Sequence, residues 1–114
     1  LLTGDIERTS ELYLLEHQFE QLTSDVMVVP HHGSKTSSSA AFLDAVQPQL
    51  AVVQAGYRNR FGHPAARVLE RYNERNIKVM DTAHCGALLW TSSSANETRC
   101  QREIGKRYWH HQVP

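Results

Sequence analysis

"LTSDVMVVPHHGSKTSSS", from Leu22 to Ser39, decides how the rest of the chain is read. Val26 to Val29 are apolar throughout and largely β-branched, as a parallel strand covered on both faces would be. Pro30 closes the strand. Two adjacent histidines, a glycine and a run of hydroxyl residues follow at once. Successive residues leaving a strand point in different directions, so one imidazole can bind a metal while the other faces a substrate. Gly33 lets backbone come close to a ligand. Ser34, Thr36 and Ser37 to Ser39 can donate hydrogen bonds to a phosphate near a helix N-terminus. The plainer alternative is a polar loop that ends in a serine helix cap.

Upstream, Leu1 and Leu2 read as the end of a buried strand running into the turn Thr3-Gly4-Asp5. "TSELYLLEHQFEQL" (9–22) places Leu12, Leu15, Phe19 and Leu22 at helical steps, with Thr9 or Ser10 as cap and Glu11 favouring the helix dipole. Downstream come a short helix "SSSAAFLDAV" (37–46), a fully apolar strand "LAVVQAG" (50–56), and the helix "PAARVLERYNERN" (64–76) opened by Pro64. Ala65, Val68, Leu69 and Tyr72 form that helix's inner face, and "RYNERNIK" is a charged outer one. "IKVMDT" and "GALLWTS" read as two more strands joined by a short turn at Ala83 to Cys85, with Trp90 in the core. The polar segment after Ser92 reads as irregular. Strands alternating with helices argue an α/β layered fold.

Composition narrows the function. The chain has 114 residues, 40% of them hydrophobic, with twelve basic and twelve acidic side chains and no net charge. That excludes a global electrostatic footprint for nucleic acid, so anion binding has to come from local groups. No apolar run approaches the length of a membrane span. Cys85 and Cys100 can pair, but two cysteines do not make a disulfide framework. The abrupt opening on "LLTGD" suggests a piece of something longer.

Ligands of open α/β sheets gather beyond the carboxyl ends of the strands. Asp5, His31 with His32, and "YRNRFGH" (57–63) each follow such an end, and parallel neighbours would bring them to one edge. Asp5 is a hard oxygen donor able to bridge two divalent metals, or else a turn residue stabilising its own backbone. Arg58 and Arg60 can fork onto phosphate, and Tyr57 or Phe61 can stack a base. His63 is near a helix start, where it can act or merely cap. His17, His84, His110 and His111 read as bystanders.

Together, "LLTGDIE", "VVPHHGSKTSSS", "FLDAVQPQLAVVQAGYRNRFGHP" and "VLERYNERNIKV" resemble the C-terminal part of ComEC-type DNA internalisation (competence) proteins, over residues 1–91. The resemblance is to the second half of their metallo-β-lactamase-like domain. It implies half of an αββα sandwich, with a mixed, largely parallel sheet and flanking helices, over residues 1–94. A polar tail then covers 95–114. It implies metal ligation by Asp5 and His32, with His31 on the scissile phosphate. Arg58, Arg60 and His63 stand beside them. The divalent ion would be zinc or manganese, completed by ligands from a first half that this sequence lacks, so that this piece binds metal weakly or not at all and is inactive alone. The implied partners are DNA, as a single strand or incoming duplex, and the membrane channel of the same polypeptide. Self-association through uncovered sheet is a further expectation. The implied setting is a soluble domain of a bacterial inner-membrane protein, on the extracytoplasmic side. The implied reaction is phosphodiester hydrolysis of the strand not imported. The alternatives are a degenerate fold that only guides DNA and a small-molecule phosphodiesterase.

Overall fold

The computed structural model describes residues 1–94 and 97–114. Three parallel strands make its centre: β1 (Val26–Val28), β2 (Leu50–Val53) and β3 (Lys78–Asp81), in that order across the sheet. Val26 lies against Leu50, and Leu50 against Lys78, so the strands run level and their carboxyl ends form one rim. Every residue of β2 is buried, as its unbroken apolar sequence requires of a middle strand. β1 is covered less evenly than expected: Met27 is fully buried, while Val26 and Val28 are half-buried.

The opening segment lies along the free edge of β1. The Leu1 nitrogen donates to the Val26 carbonyl at 2.7 Å and the Val28 N–H to the Leu1 carbonyl at 3.0 Å, the slanted pattern of a parallel neighbour. It is not the buried strand end expected from sequence, because Leu2 is exposed. The alignment still delivers Gly4 and Asp5 to the rim.

Helices α1 (Arg8–His17), α2 (Ala40–Val46) and α3 (Ala66–Glu74) flank the sheet. The core is built from Met27, Phe42, Val46, Ala51, Val68 and Tyr72, among others. Several helix expectations need correction. α1 is shorter than 9–22, ending at His17, with a separate helical turn at Phe19–Gln21. Its cap position is Glu7, not Thr9 or Ser10, and Leu12 and Phe19 are exposed. α3 begins at Ala66 with Ala65 as cap, so Pro64 stands before the helix, and Leu69 falls on its more exposed side.

What α1 buries is a carboxylate. Glu11 is fully buried and accepts the Ser38 N–H at 2.6 Å and the Ser39 N–H at 2.9 Å, so it closes the start of α2 from a neighbouring helix. Ser39 adds its own side-chain cap to Phe42. Sequence periodicity misses this because a buried glutamate breaks the apolar stripe that periodicity looks for.

After β3, the helical turn α4 (Thr82–Cys85) leads to β4 (Leu88–Trp90), which pairs antiparallel with β5 (Thr98–Cys100) in a separate two-stranded sheet; α5 (Gln101–Ile104) follows. The stretch read as irregular therefore contains a strand and a helical turn, and half-buried Trp90 belongs to this smaller sheet rather than to the main core. Cys85 and Cys100 form a disulfide that ties α4 to β5.

The fold is thus a small α/β unit with a parallel sheet. Glu11 gives a direct test. Glu11→Ala leaves two inward N–H groups without an acceptor and should lower unfolding free energy in urea by about 2–4 kcal/mol. Glu11→Gln, which keeps one acceptor oxygen, should lose distinctly less.

Candidate functional site

The rim carries a turn of unusual backbone. His31, His32 and Gly33 have φ of 45°, 55° and 82°, all in the left-handed region. Non-glycine residues rarely sit there, and such strain persists only where the surroundings over-determine it. Here they do. The His31 N–H donates to the Gly4 carbonyl at 3.0 Å, and the Gly33 carbonyl accepts the Ala65 N–H at 2.9 Å. Gly33 is also forced by packing, since a Cβ there would lie 2.6 Å from Pro64 Cβ.

The turn aims both imidazoles. His32 Nδ1 lies 2.6 Å from the Gln54 carbonyl, which can only accept, so Nδ1 donates. That leaves Nε2 directed at Asp5 Oδ1, 3.4 Å away. Nε2 and the carboxylate oxygen together face a point suited to a cation or a shared proton. A histidine fixed through one nitrogen on a carbonyl, with the other free, is also the arrangement that second-shell contacts impose on metal-ligating histidines. Asp5 and His32, with Gln54, Thr3 and Val29, border a cavity of about 260 Å³.

His31 is held differently. Its Nδ1 lies 2.7 Å from Glu7 Oε1, and the same oxygen accepts from the Thr36 hydroxyl at 2.7 Å. The Thr36 hydroxyl, then the His31 hydrogen bond, hold the Glu7 carboxyl below its usual range. Glu7 was not singled out from sequence. Its signal is "GDIE", where a second carboxylate follows Asp5 at a spacing of two.

The hydroxyl run does not face a ligand. Ser37 Oγ donates to the Pro30 carbonyl at 2.8 Å, and buried Ser38 Oγ meets Tyr72 Oη at 3.0 Å. The N–H groups of Ser38 and Ser39 are taken by Glu11. Burial raises the Tyr72 hydroxyl well above its ordinary pKa. Arg71, read as one charge on a solvated helix face, donates to the carbonyls of Ser37 and Ser38, both at 3.0 Å. The phosphate-donor expectation for Ser37 and Ser38 is therefore corrected: these serines hold the turn from behind.

The loop after β2 completes the rim. The Asn59 side chain bridges it, donating to the Gly56 and His63 carbonyls and accepting the His63 N–H. His63 comes to 6.0 Å from His31, ring centre to ring centre. Arg58 lies over the Tyr57 ring at 5.1 Å and Arg60 over the Phe61 ring at 4.8 Å. So the structure brings Asp5, His31, His32 and His63 to one edge, while Arg58 and Arg60 sit on the same loop as His63 but are engaged with aromatic faces. At the β3 end of the rim, His84 pairs with Asp81 at 2.7 Å and both line a cavity with Arg58, Asn59 and His63, while His17 is exposed elsewhere, stacked on Tyr13. Among the described residues, no three His, Cys, Asp or Glu side chains are grouped as a complete metal site.

Comparison with known proteins adds an independent line. The chain is 38% identical over 109 residues to "Competence protein ComA" of Neisseria gonorrhoeae, covering 96% of this chain and 16% of that protein. It is 36% identical over 88 residues to "ComE operon protein 3" of Bacillus subtilis (strain 168), covering 77% of this chain and 11% of that protein. The chain is similar to competence proteins over most of its own length. It is also 34% identical over 119 residues to "Uncharacterized protein YcaI" of Escherichia coli (strain K12), covering 98% of this chain and 15% of that protein. The chain thus spans only 10% to 16% of the length of its curated relatives, competence proteins included. No family model and no solved structure matches it. No helix among the described residues is long and apolar enough to cross a membrane.

The Glu7 contacts make a pH prediction. A carboxyl with a lowered folded-state pKa keeps its contacts above the ordinary glutamate value of 4.5 and loses them as pH falls through the lowered one. Carboxyl ¹³C NMR should therefore titrate Glu7 below 4.5, and Thr36→Val should move it back toward that value. An unchanged titration in Thr36→Val would remove the Thr36 contact from the account.

Proposed function

We propose that this chain is a segment of a competence-type DNA-uptake protein and carries one side of a metal-dependent phosphodiesterase centre. The observation that carries the reading is the His32 ring: fixed through Nδ1 on Gln54, with Nε2 facing Asp5 at 3.4 Å. The similarity to competence proteins supports the biological setting.

Asp5 and His32 fit a divalent ion as two of its donors, an oxygen and a borderline nitrogen compatible with zinc or manganese. Catalytic ions of this kind take three or more protein ligands, so the remaining donors belong to another part of the longer protein. A bound ion would supply Lewis acidity toward a phosphate oxygen and an activated water. The chain's own residues do the rest. With Nδ1 held on Glu7, a His31 ring that also carries a proton on Nε2 donates it to a phosphate oxygen or gives it to the leaving oxygen. His63 stands beside it. Arg58 and Arg60 add positive charge where negative charge builds up on the phosphoryl oxygens. DNA is the proposed substrate and the membrane channel of the same polypeptide the proposed neighbour. The Cys85–Cys100 disulfide supports an oxidising compartment, hence the extracytoplasmic side of the membrane.

The test uses the complete domain with Mn²⁺ or Zn²⁺ and follows loss of single- and double-stranded DNA beside a chromogenic phosphodiester. Asp5→Ala and His32→Ala should each reduce hydrolysis by about 100-fold or more and lower the metal content measured after dialysis. Parent-like cleavage by both variants would reject the assigned roles. Cleavage of the small diester but not of DNA would move the reading to a small-molecule phosphodiesterase.

A further inference from the structure

The C-terminal segment, which carries no role in the metal centre, folds back to the catalytic rim. The His111 ring lies 5.8 Å from the Tyr57 ring. Beyond it, Trp109 lies 6.0 Å from His110 and 4.7 Å from Tyr108. On the other side of the Asn59-bridged loop, Phe61 lies 5.8 Å from His63, and His63 lies 6.0 Å from His31. A succession of rings therefore stands on the 57–63 loop, meeting the imidazole pair through His63 and the C-terminal segment through Tyr57.

Three arginines line this succession. Arg58 covers Tyr57, Arg60 covers Phe61, and Arg107 covers Trp109 at 5.4 Å. Among the described residues none of the three is in an ion pair with a carboxylate, although Arg75 elsewhere forms one with Asp44. The rings are open to solvent: Phe61 is 67%, Trp109 61% and Tyr108 96% exposed. Large exposed aromatics next to uncompensated guanidinium groups are poorly explained by folding, because neither group is buried by the arrangement.

We propose that the 57–63 loop and the 106–111 segment form one binding track for single-stranded nucleic acid, which guides a strand into the His31–His32 rim. Unpaired bases offer flat faces to stack on Phe61, Tyr57 and Trp109, and phosphates offer anionic partners to Arg58, Arg60 and Arg107. A duplex hides its base faces, so the track favours the unpaired form. The Asn59 bridge fixes the loop beforehand, which reduces the entropy lost on binding. The proposal deepens the phosphodiesterase reading by naming the form of strand presented to that site.

The experiment measures binding of a fluorescently labelled oligothymidylate to the complete domain in EDTA, so that cleavage and metal play no part. Phe61→Ala and Trp109→Ala should each weaken binding by about 5- to 100-fold. Phe61→Trp should restore it, and bound thymine should quench the share of the tryptophan emission that Trp109→Phe removes, Trp90 supplying the rest. The slope of log affinity against log salt should flatten by about 0.7 for Arg58→Ala. Because Phe61 and Trp109 lie outside the core, circular dichroism should stay unchanged. Binding is read in EDTA and hydrolysis with metal present, so the track and the metal centre can fail independently. Unchanged affinity in both ring truncations would overturn the proposal. So would preference for a duplex of equal length, or binding to anionic lipid vesicles with none to the oligonucleotide, which would make the exposed rings a membrane anchor.

Discussion

The left-handed turn at His31–His32–Gly33 is the constraint on which the rim depends. Three consecutive positive-φ residues are expensive backbone, on the order of 1–3 kcal/mol for each non-glycine one. The turn persists because its two ends are bonded to other elements: His31 N–H to Gly4, and the Gly33 carbonyl to Ala65. Those bonds join three segments that are distant in sequence, namely the edge beside β1, the turn itself and the start of α3. A glycine at position 33 is required twice, by its φ of 82° and by the Pro64 ring against it. The backbone then directs both imidazoles to the rim, where Glu7 and the Gln54 carbonyl hold them.

Behind the turn lies a polar web that makes it stiff. Glu11 holds the start of α2, Ser37 holds the Pro30 carbonyl, and Arg71 holds the carbonyls of Ser37 and Ser38. Tyr72 closes the web from α3 through Ser38. No buried side-chain nitrogen or oxygen among the described residues lacks a partner. Such a network leaves the hydroxyl-rich segment no spare donors in its buried part, and it divides the labour of "HHGSKTSSS" cleanly. The histidines face the rim, Thr36 and Ser34 reach Glu7's side, and the later serines are structure.

The parallel sheet was legible because β2 is an uninterrupted apolar run, and the rim followed from it: polar residues after strands of one direction must share an edge. That reasoning places Asp5 and both histidines together. Glu7 and Glu11 were not legible, since a carboxylate that hydrogen-bonds across elements has no periodic signature. α1 was over-extended because "TSELYLLEHQFEQL" looks amphipathic at helical spacing while the sheet covers only part of that stripe. β4 is legible in "GALLWTS", but its partner β5 is not, for a different reason. The two strands have three residues each, and what fixes β5 is the cross-link between Cys85 and Cys100, a distant pairing that spacing cannot predict. The remaining features of the αββα sandwich lie beyond a three-stranded parallel sheet with its helices, and they stay with the family resemblance.

The central claim is that His31 and His32 are each held through Nδ1 so that Nε2 is presented to the rim. Long-range ¹H–¹⁵N NMR of the histidine rings measures this directly. The account predicts a proton on Nδ1 of both rings, with the His32 Nε2 resonance responding to added divalent metal. A His32 ring protonated on Nε2 and not on Nδ1, insensitive to metal, would contradict it.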